Sequence, residues 1–273
     1  MENYNDAHRL FLQIFISRKL MLTDDALQLY LKVGEQVEVD TPPDEFFSFV
    51  KTINKKLEPL LMELRQGRAE ESGEMFYALV NCYEDEHSKL ATNFLPQEID
   101  YIKKVIELIV LSDEGVVSSI DLINAGHDLT KRITTHAAEE ILSQLSSERW
   151  LAEHHGKISL GARAVIELGQ YLKMKFKDHI NECTLCHDFV ISGDMCINCG
   201  IKIHKYCAAT NFTNIHASKR KCPSCKEVWE NNLMKLPKSR DSGAAGQAAA
   251  LREVQVVPSA ASSKPSKRAK RSR

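Results

Sequence analysis

Seven of the eight cysteines lie between Cys183 and Cys225, and with one histidine they fall into four pairs. Cys183 and Cys186 are separated by two residues; nine residues later come Cys196 and Cys199 with the same spacing. Four residues on, His204 stands two residues ahead of Cys207, and fourteen residues later Cys222 and Cys225 close the series. Two cysteines so spaced can turn tightly enough for both sulfurs to reach one ion at roughly 2.3 Å. Eight donors fill two tetrahedral sites, so the chemistry expected is the binding of two structural zinc ions with no open coordination position. Spacing leaves the pairing open between a sequential arrangement, with one site from the first four cysteines, and an interleaved one.

The segment from 183 to 225 spans 43 residues, too few to bury much core. A structural zinc contributes on the order of 10 kcal/mol of apparent free energy at neutral pH, so metal is expected to hold this segment together. Seven thiolates against two divalent ions leave an excess negative charge that Lys202, Lys205, Lys219, Arg220 and Lys221, set against Asp188 and Asp194, nearly cancel. Such cations also favour the thiolate form. His179, His187 and His216 lie near the cluster but the eight ligands are already supplied, so they read as surface residues. Cys82 stands apart and reads as a buried core thiol.

Helical periodicity ahead of the cluster indicates what positions it. Ala7, Leu10, Phe11, Ile14 and Phe15 line one helical face. A second helix begins after Thr23, whose hydroxyl can cap free amides, carries Ala26, Leu29, Tyr30 and Val33, and ends at Gly34. Pro42 and Pro43 open a third with Phe46, Phe49, Val50, Ile53 and Leu57, which Pro59 stops. LLMELR and MFYALV, separated by GRAEESG, read as a strand pair. Three helices and a hairpin is the order of a winged helix, with a plain helical bundle as the alternative.

The plan then repeats. A helix from Pro96 to Leu111 carries Ile99, Ile102, Val105, Ile106 and Ile109; SSIDLINAG gives a short second helix; Ala138, Ile141, Leu142 and Leu145 mark a third. WLAEHHGKISLG alternates around a turn at HHG. A last helix from Gly161 to Lys177 leads into the cysteine cluster. The fold class expected is mainly α with small β hairpins: two tandem winged-helix domains, at 1–92 and 93–178, followed by a two-zinc domain at 179–232 and a disordered basic tail at 233–273.

Residues 237–273 carry nine Lys or Arg against two acids, leaving about −8 on the rest of a chain whose net charge is −1. The last ten residues, KPSKRAKRSR, hold Lys267, Arg268, Lys270 and Arg271 and suit nuclear import or loose nucleic-acid contact. Glu139 and Glu140 on the third helix of the second unit, with few cations besides Lys131 and Arg132 before it, favour protein over DNA as its partner. No run approaches the roughly 18 apolar residues of a membrane span, and MENYNDAHRL lacks the pattern of a secretory signal, so reduced thiols are expected. No G-x-S-x-G, G-x-x-x-x-G-K or H-E-x-x-H occurs, which leaves cofactor-dependent enzyme classes unsupported.

Four cysteines, one histidine and three cysteines is an order shared by PHD fingers, RING-CH domains and variant RINGs. Arg220 stands where a PHD finger carries an aromatic, and Pro223 follows the seventh ligand as in RINGs. NECTLCHDFVISGDMCINCGIKIHKYC and KCPSCKEVW, preceded by SERWLAEHHGKISLGARAVIELGQYL, give a combination that resembles the non-SMC element one family, the RING-like subunit of the Smc five/six chromosome-maintenance complex, over about residues 1 to 235. The resemblance implies a cross-braced RING-like domain at 179–232 with the interleaved pairing: Cys183, Cys186, His204 and Cys207 on one zinc, Cys196, Cys199, Cys222 and Cys225 on the other. It also implies a nuclear, chromosome-associated ubiquitin ligase subunit of recombination repair, whose partners are a MAGE-domain subunit (non-SMC element three), a kleisin subunit (non-SMC element four), a ubiquitin-conjugating enzyme and ubiquitin. By correspondence Leu185 and Pro223 contact the conjugating enzyme and Lys226 touches ubiquitin. Between Cys207 and Cys222 only Phe212 stands where active RINGs place a tryptophan, so activity is expected to depend on the MAGE partner. A non-catalytic scaffold and, further off, a PHD-like chromatin reader are the competing functions.

Overall fold

The computed structural model describes residues 4–82, 94–230 and 233. Asn5 caps the first helix, α1 (Asp6–Arg18): its side chain accepts from the His8 amide at 3.4 Å, and His8 Nδ1 accepts from the Asn5 amide at 3.2 Å. A short strand, β1 (Leu20–Leu22), leads directly into α2 (Thr23–Gln36). Thr23 does not cap this helix but is its first residue, and its hydroxyl accepts from Gln66 Nε2 at 3.3 Å. Nor does α2 stop at Gly34: it runs on two residues, and Gly34 is needed because a Cβ there would lie 2.1 Å from Thr41 Oγ1. A single 3-10 turn, Pro43–Glu45, precedes α3 (Phe46–Leu57).

These helices enclose an aromatic core of Phe11, Phe15, Tyr30, Phe46 and Phe49, with Phe11 and Phe49 edge to face at 5.3 Å. Leu10 and Ile14 only flank it, while His8 is buried and stacks on Phe49 at 4.1 Å; burial lowers its pKa. The hairpin β2 (Met62–Arg68) and β3 (Met75–Asn81) pairs from Met62 opposite Asn81 to Arg68 opposite Met75, and β1 adds to the far side of β3. Cys82, just past β3, is half-buried rather than core, with Arg65 Nη2 at 3.8 Å from its sulfur.

The second set begins with α4 (Pro96–Leu111), then β4 (Val117–Ser118), α5 (Ser119–Ala125) and α6 (Thr135–Ser147), whose amino end Thr134 caps by accepting from the Ala137 amide at 3.2 Å. β5 (Leu151–His154) and β6 (Lys157–Leu160) form a hairpin whose two turn residues, His155 and Gly156, both have positive φ, and β4 completes a three-stranded sheet in the order β4-β6-β5. Helix α7 (Ala162–Lys175) is covered on two sides. Leu168 and Leu172 enter the core with Ile102, Ile109 and Leu145, while Ala162 and Ile166 meet Phe76, Ala78 and Val80 of β3. Strand β3 is therefore buried on both faces.

The cysteine-rich segment adds β7 (Asn181–Glu182), β8 (Phe189–Val190), β9 (Gly193–Met195), β10 (Lys202–His204) and α8 (Lys205–Phe212). Phe189 and Ile191 do not join its own small core but insert beside Leu172 and Phe176 of the preceding one. The described residues belong to one compact unit; the expected tail beyond Leu233, with the import residues Lys267, Arg268, Lys270 and Arg271, lies outside the described residues. Among the described residues no helix is long and apolar enough to cross a membrane.

Candidate metal centres

Three C-x2-C turns share one backbone pattern. The first cysteine's amide donates to the carbonyl five residues on: Cys183 to Asp188 at 2.8 Å, Cys196 to Ile201 at 2.9 Å, Cys222 to Glu227 at 2.8 Å. Its carbonyl accepts from the amide four residues on, from His187 at 2.8 Å, Gly200 at 2.9 Å and Lys226 at 3.1 Å. Each turn therefore closes on a residue of positive φ: His187 at 61°, Gly200 at 73° and Lys226 at 65°. The fourth pair is built differently, with His204 ending β10 and Cys207 in the first turn of α8.

These turns bring together Cys183, Cys186, His204 and Cys207 in one cluster and Cys196, Cys199, Cys222 and Cys225 in another, the ligand atoms of each lying within 4.8 Å of one another. A tetrahedral ion with bonds of about 2.3 Å to sulfur requires sulfurs about 3.8 Å apart. Cys196 to Cys225 and Cys199 to Cys222 are both 3.7 Å, far beyond the ~2.05 Å of a disulfide. His204 Nδ1 is 3.3 Å from the Cys186 sulfur and 3.8 Å from that of Cys207, bracketing the edge of about 3.6 Å expected between nitrogen and sulfur. The donor sets thus fit two four-coordinate ions. Hydrogen bonds from Asn198 and the Glu227 amide lower Cys225 to about 6, which favours its thiolate.

The other ring nitrogen, His204 Nε2, faces the Phe189 carbonyl at 2.9 Å and Glu70 Oε1 at 3.4 Å. Glu70 comes from the turn joining β2 to β3 and was not among the residues singled out from sequence; a glutamate in GRAEESG reads as a solvated turn residue. Lys202 is also placed differently from expectation. Its ammonium does not face the thiolates but is buried against the carbonyls of Asp113 and Ile191, each at 2.8 Å.

Leu185 is half-buried at the edge of the small core and Pro223 is half-buried in the last C-x2-C turn. The Lys226 side chain is exposed and donates to the Pro223 carbonyl at 2.7 Å. Phe212 is only 2% exposed and packs on Trp229 with ring centroids 5.9 Å apart, so it presents no aromatic to a partner. His179, His187 and His216 are exposed, as are Glu139 and Glu140. Beside the second cluster, and sharing its Cys196, a groove of about 410 Å³ is lined also by Met195, Ile197, Asn198, Val228 and Trp229; Ile197 is 81% exposed, and no sequence signal marked it.

Comparison with known proteins places this geometry. Residues 8–168 match the family described as Nse1 non-SMC component of SMC5-6 complex, and residues 183–225 match the RING-like domain. The non-structural maintenance of chromosomes element 1 homologue of Xenopus tropicalis is 32% identical over 253 residues, 92% of this chain and 93% of that protein. The human homologue is 32% identical over 242 residues, 87% of this chain and 90% of that protein. The Schizosaccharomyces pombe protein is 23% identical over 233 residues, covering 84% and 94%. A solved chain from an Nse1-Nse3-Nse4 complex superposes with a TM-score of 0.78 at 32% identity, covering 85% of this chain and all of that one. Matched by the family model from α1 into α7 and followed by two four-ligand clusters within a RING-like domain, the chain belongs to the Nse1 family of non-SMC components of the SMC5-6 complex.

Proposed function

We propose that this chain is a RING-type ubiquitin ligase subunit of a chromosome-maintenance complex acting in DNA repair and recombination in the nucleus. The observation that carries this reading is the pair of closed four-ligand clusters within a RING-like domain, on a chain whose solved structural neighbour comes from an Nse1-Nse3-Nse4 complex. The metals are zinc: seven thiolates and one imidazole are a donor set suited to that ion. Four protein ligands per ion leave no position for substrate, so the zincs shape the surface and take no part in bond making.

The two helical sets with their three-stranded sheets are winged helices, occupying residues 1–92 and 93–178 ahead of the RING at 179–232. The first of them, residues 1–92, offers the surface for a MAGE-domain subunit, and a kleisin is the further partner; a solved neighbour that comes from an Nse1-Nse3-Nse4 complex supports both. The exposed Glu139 and Glu140 on α6 support protein rather than DNA as the partner of that helix.

Catalysis is positional. Leu185 and Pro223 form the contact with a charged conjugating enzyme, and Lys226 approaches ubiquitin, so that the thioester is held where a substrate lysine attacks it. No residue of this chain forms a covalent intermediate. Burial of Phe212 removes the one aromatic available between Cys207 and Cys222, which supports activity that depends on the MAGE partner. The same observation favours the second reading, a zinc-stabilised scaffold without ligase activity. A reconstituted ubiquitination reaction, with and without the MAGE subunit, separates the two. Chains that form with the partner and disappear on Leu185→Ala, at unchanged zinc content, establish the ligase; no chains under any condition leaves the scaffold.

A further inference from the structure

The β2-β3 hairpin reaches the first metal cluster through Glu70, which faces His204, and through Gly73 and Arg68, which meet the neighbouring Tyr206. Glu70, 3% exposed, accepts from the Ile191 amide through Oε1 at 3.0 Å and from the Ser192 amide through Oε2 at 2.8 Å, and Oε1 lies 3.4 Å from His204 Nε2. Gly73, with φ of 75°, lies so close to Tyr206 that a Cβ would meet the tyrosine Cβ at 2.8 Å. Arg68, held by the Gly73 carbonyl at 3.1 Å, lies 4.9 Å over the Tyr206 ring, which itself stacks on His204 at 4.7 Å.

A carbonyl and a carboxylate can only accept, so the two groups facing Nε2 require the proton on that nitrogen. Nδ1 is then left with its lone pair toward Cys186 and Cys207, the form a metal needs. A metal-bound histidine is commonly oriented through its second nitrogen, and loss of that support typically weakens metal binding 10- to 100-fold. Here the support comes from a hairpin more than 100 residues earlier in the chain.

We propose that Glu70 is a positioning residue for the first metal site. Together with the Phe189 carbonyl it holds the ring and tautomer of His204, so that seating of the amino-terminal hairpin and retention of metal are coupled. This rests on the reading of the clusters as zinc sites. Because coupling of two equilibria is reciprocal, removing the metal must also loosen the hairpin.

The test uses the full chain loaded with zinc and follows release to a chromogenic chelator. Wild-type protein carries two equivalents; fewer than two overturns the metal reading itself, whatever Glu70 does. Glu70→Ala is expected to release one equivalent at least tenfold faster and the other at the wild-type rate. Equal rates for variant and wild type would overturn the proposal. In a His204→Cys background, where the imidazole is gone, Glu70→Ala should add nothing further. The same acceleration in both backgrounds would show that Glu70 acts through hairpin packing and not through His204, and would also overturn it. If Glu70→Ala folds poorly, Glu70→Leu, which also removes both acceptor oxygens but keeps most of the side-chain volume, carries the same comparison. Hydrogen exchange at the Ala69 and Gly73 amides, both bonded within the turn, gives the reciprocal readout: it should quicken on chelation of wild-type protein, and unchanged protection counts against the coupling.

Discussion

The guanidinium of Arg163 lies over the indole of Trp150, its central carbon 4.4 Å from the ring centroid, while Nε reaches Glu167 at 2.6 Å and Nη1 reaches Glu148 at 2.9 Å. Burial pushes the Glu167 carboxyl up, and Arg163, with a smaller part from Lys19, opposes that rise, which makes Arg163 the main partner of a buried carboxylate. Arg163→Met is expected to cost about 3 kcal/mol in denaturant unfolding, because it leaves that charge uncompensated. Adding Glu167→Leu should restore most of the loss. A double variant as unstable as the single one would locate the contribution in packing on Trp150 and not in charge.

Lys226 and Gly200 occupy the same position of two C-x2-C turns, both with positive φ. A Cβ at Gly200 would meet nothing within 4 Å, so Gly200→Ala tests backbone strain alone and should cost about 1 kcal/mol. Lys226→Gly should leave stability at or slightly above wild type by relieving the same strain, less the added freedom of the unfolded chain. Thermal unfolding of the two variants checks the opposite signs. If Lys226 touches ubiquitin, Lys226→Gly also slows chain formation without loss of zinc.

What the sequence made legible was whatever repeats at short range. The apolar periodicity of α4 and α6, the turn at His155 and Gly156, and the cysteine spacing each report on neighbours within a few residues. β1 and β4, three and two residues long, are too short to show alternation, so the third strand of each sheet went unseen. The second buried side of α7 was hidden because Ala162 and Ile166 read as ordinary core positions, whichever element covers them. Glu70 and Lys202 were illegible for a stronger reason. Their partners are mostly backbone amides and carbonyls, which carry no residue identity, on segments distant in sequence.

Glu71, beside Glu70 in the hairpin turn, has one carboxylate oxygen that is buried without a hydrogen-bond partner. Burial raises its pKa above the ordinary value, with Glu70 adding to the rise and Arg149 opposing it. The folded chain therefore holds this proton to higher pH than the unfolded chain does. Between the two values the folded state binds more protons, and stability falls as pH rises through that interval. Glu71→Gln removes the titration, so its stability relative to wild type should grow from pH 4 upward and level off once the folded carboxyl has ionised. Urea midpoints of both proteins across that range check this, the metal contribution being common to both. A difference independent of pH would mean that the folded and unfolded carboxyls titrate alike.

Removing the metal should separate the carboxy-terminal core from the two ahead of it. Of the eight buried residues in that core, three are the ligands Cys183, Cys196 and Cys222, whereas the cores around Phe11 and Tyr101 contain no ligand at all. Trp229 belongs to the metal-dependent core and Trp150 to an independent one, and the chain has two tryptophans. In a Trp150→Phe variant the remaining fluorescence reports on Trp229 alone. A strong chelator at neutral pH should shift that emission to the red as the indole enters water, while the far-ultraviolet helical signal falls only slightly. Acid should produce the same change through protonation of the thiolates and His204, since a metal ligand must be deprotonated to bind. Loss of the helical signal in step with the Trp229 shift would mean instead that Phe189 and Ile191, seated beside Leu172 and Phe176, bind the cores into one cooperative unit.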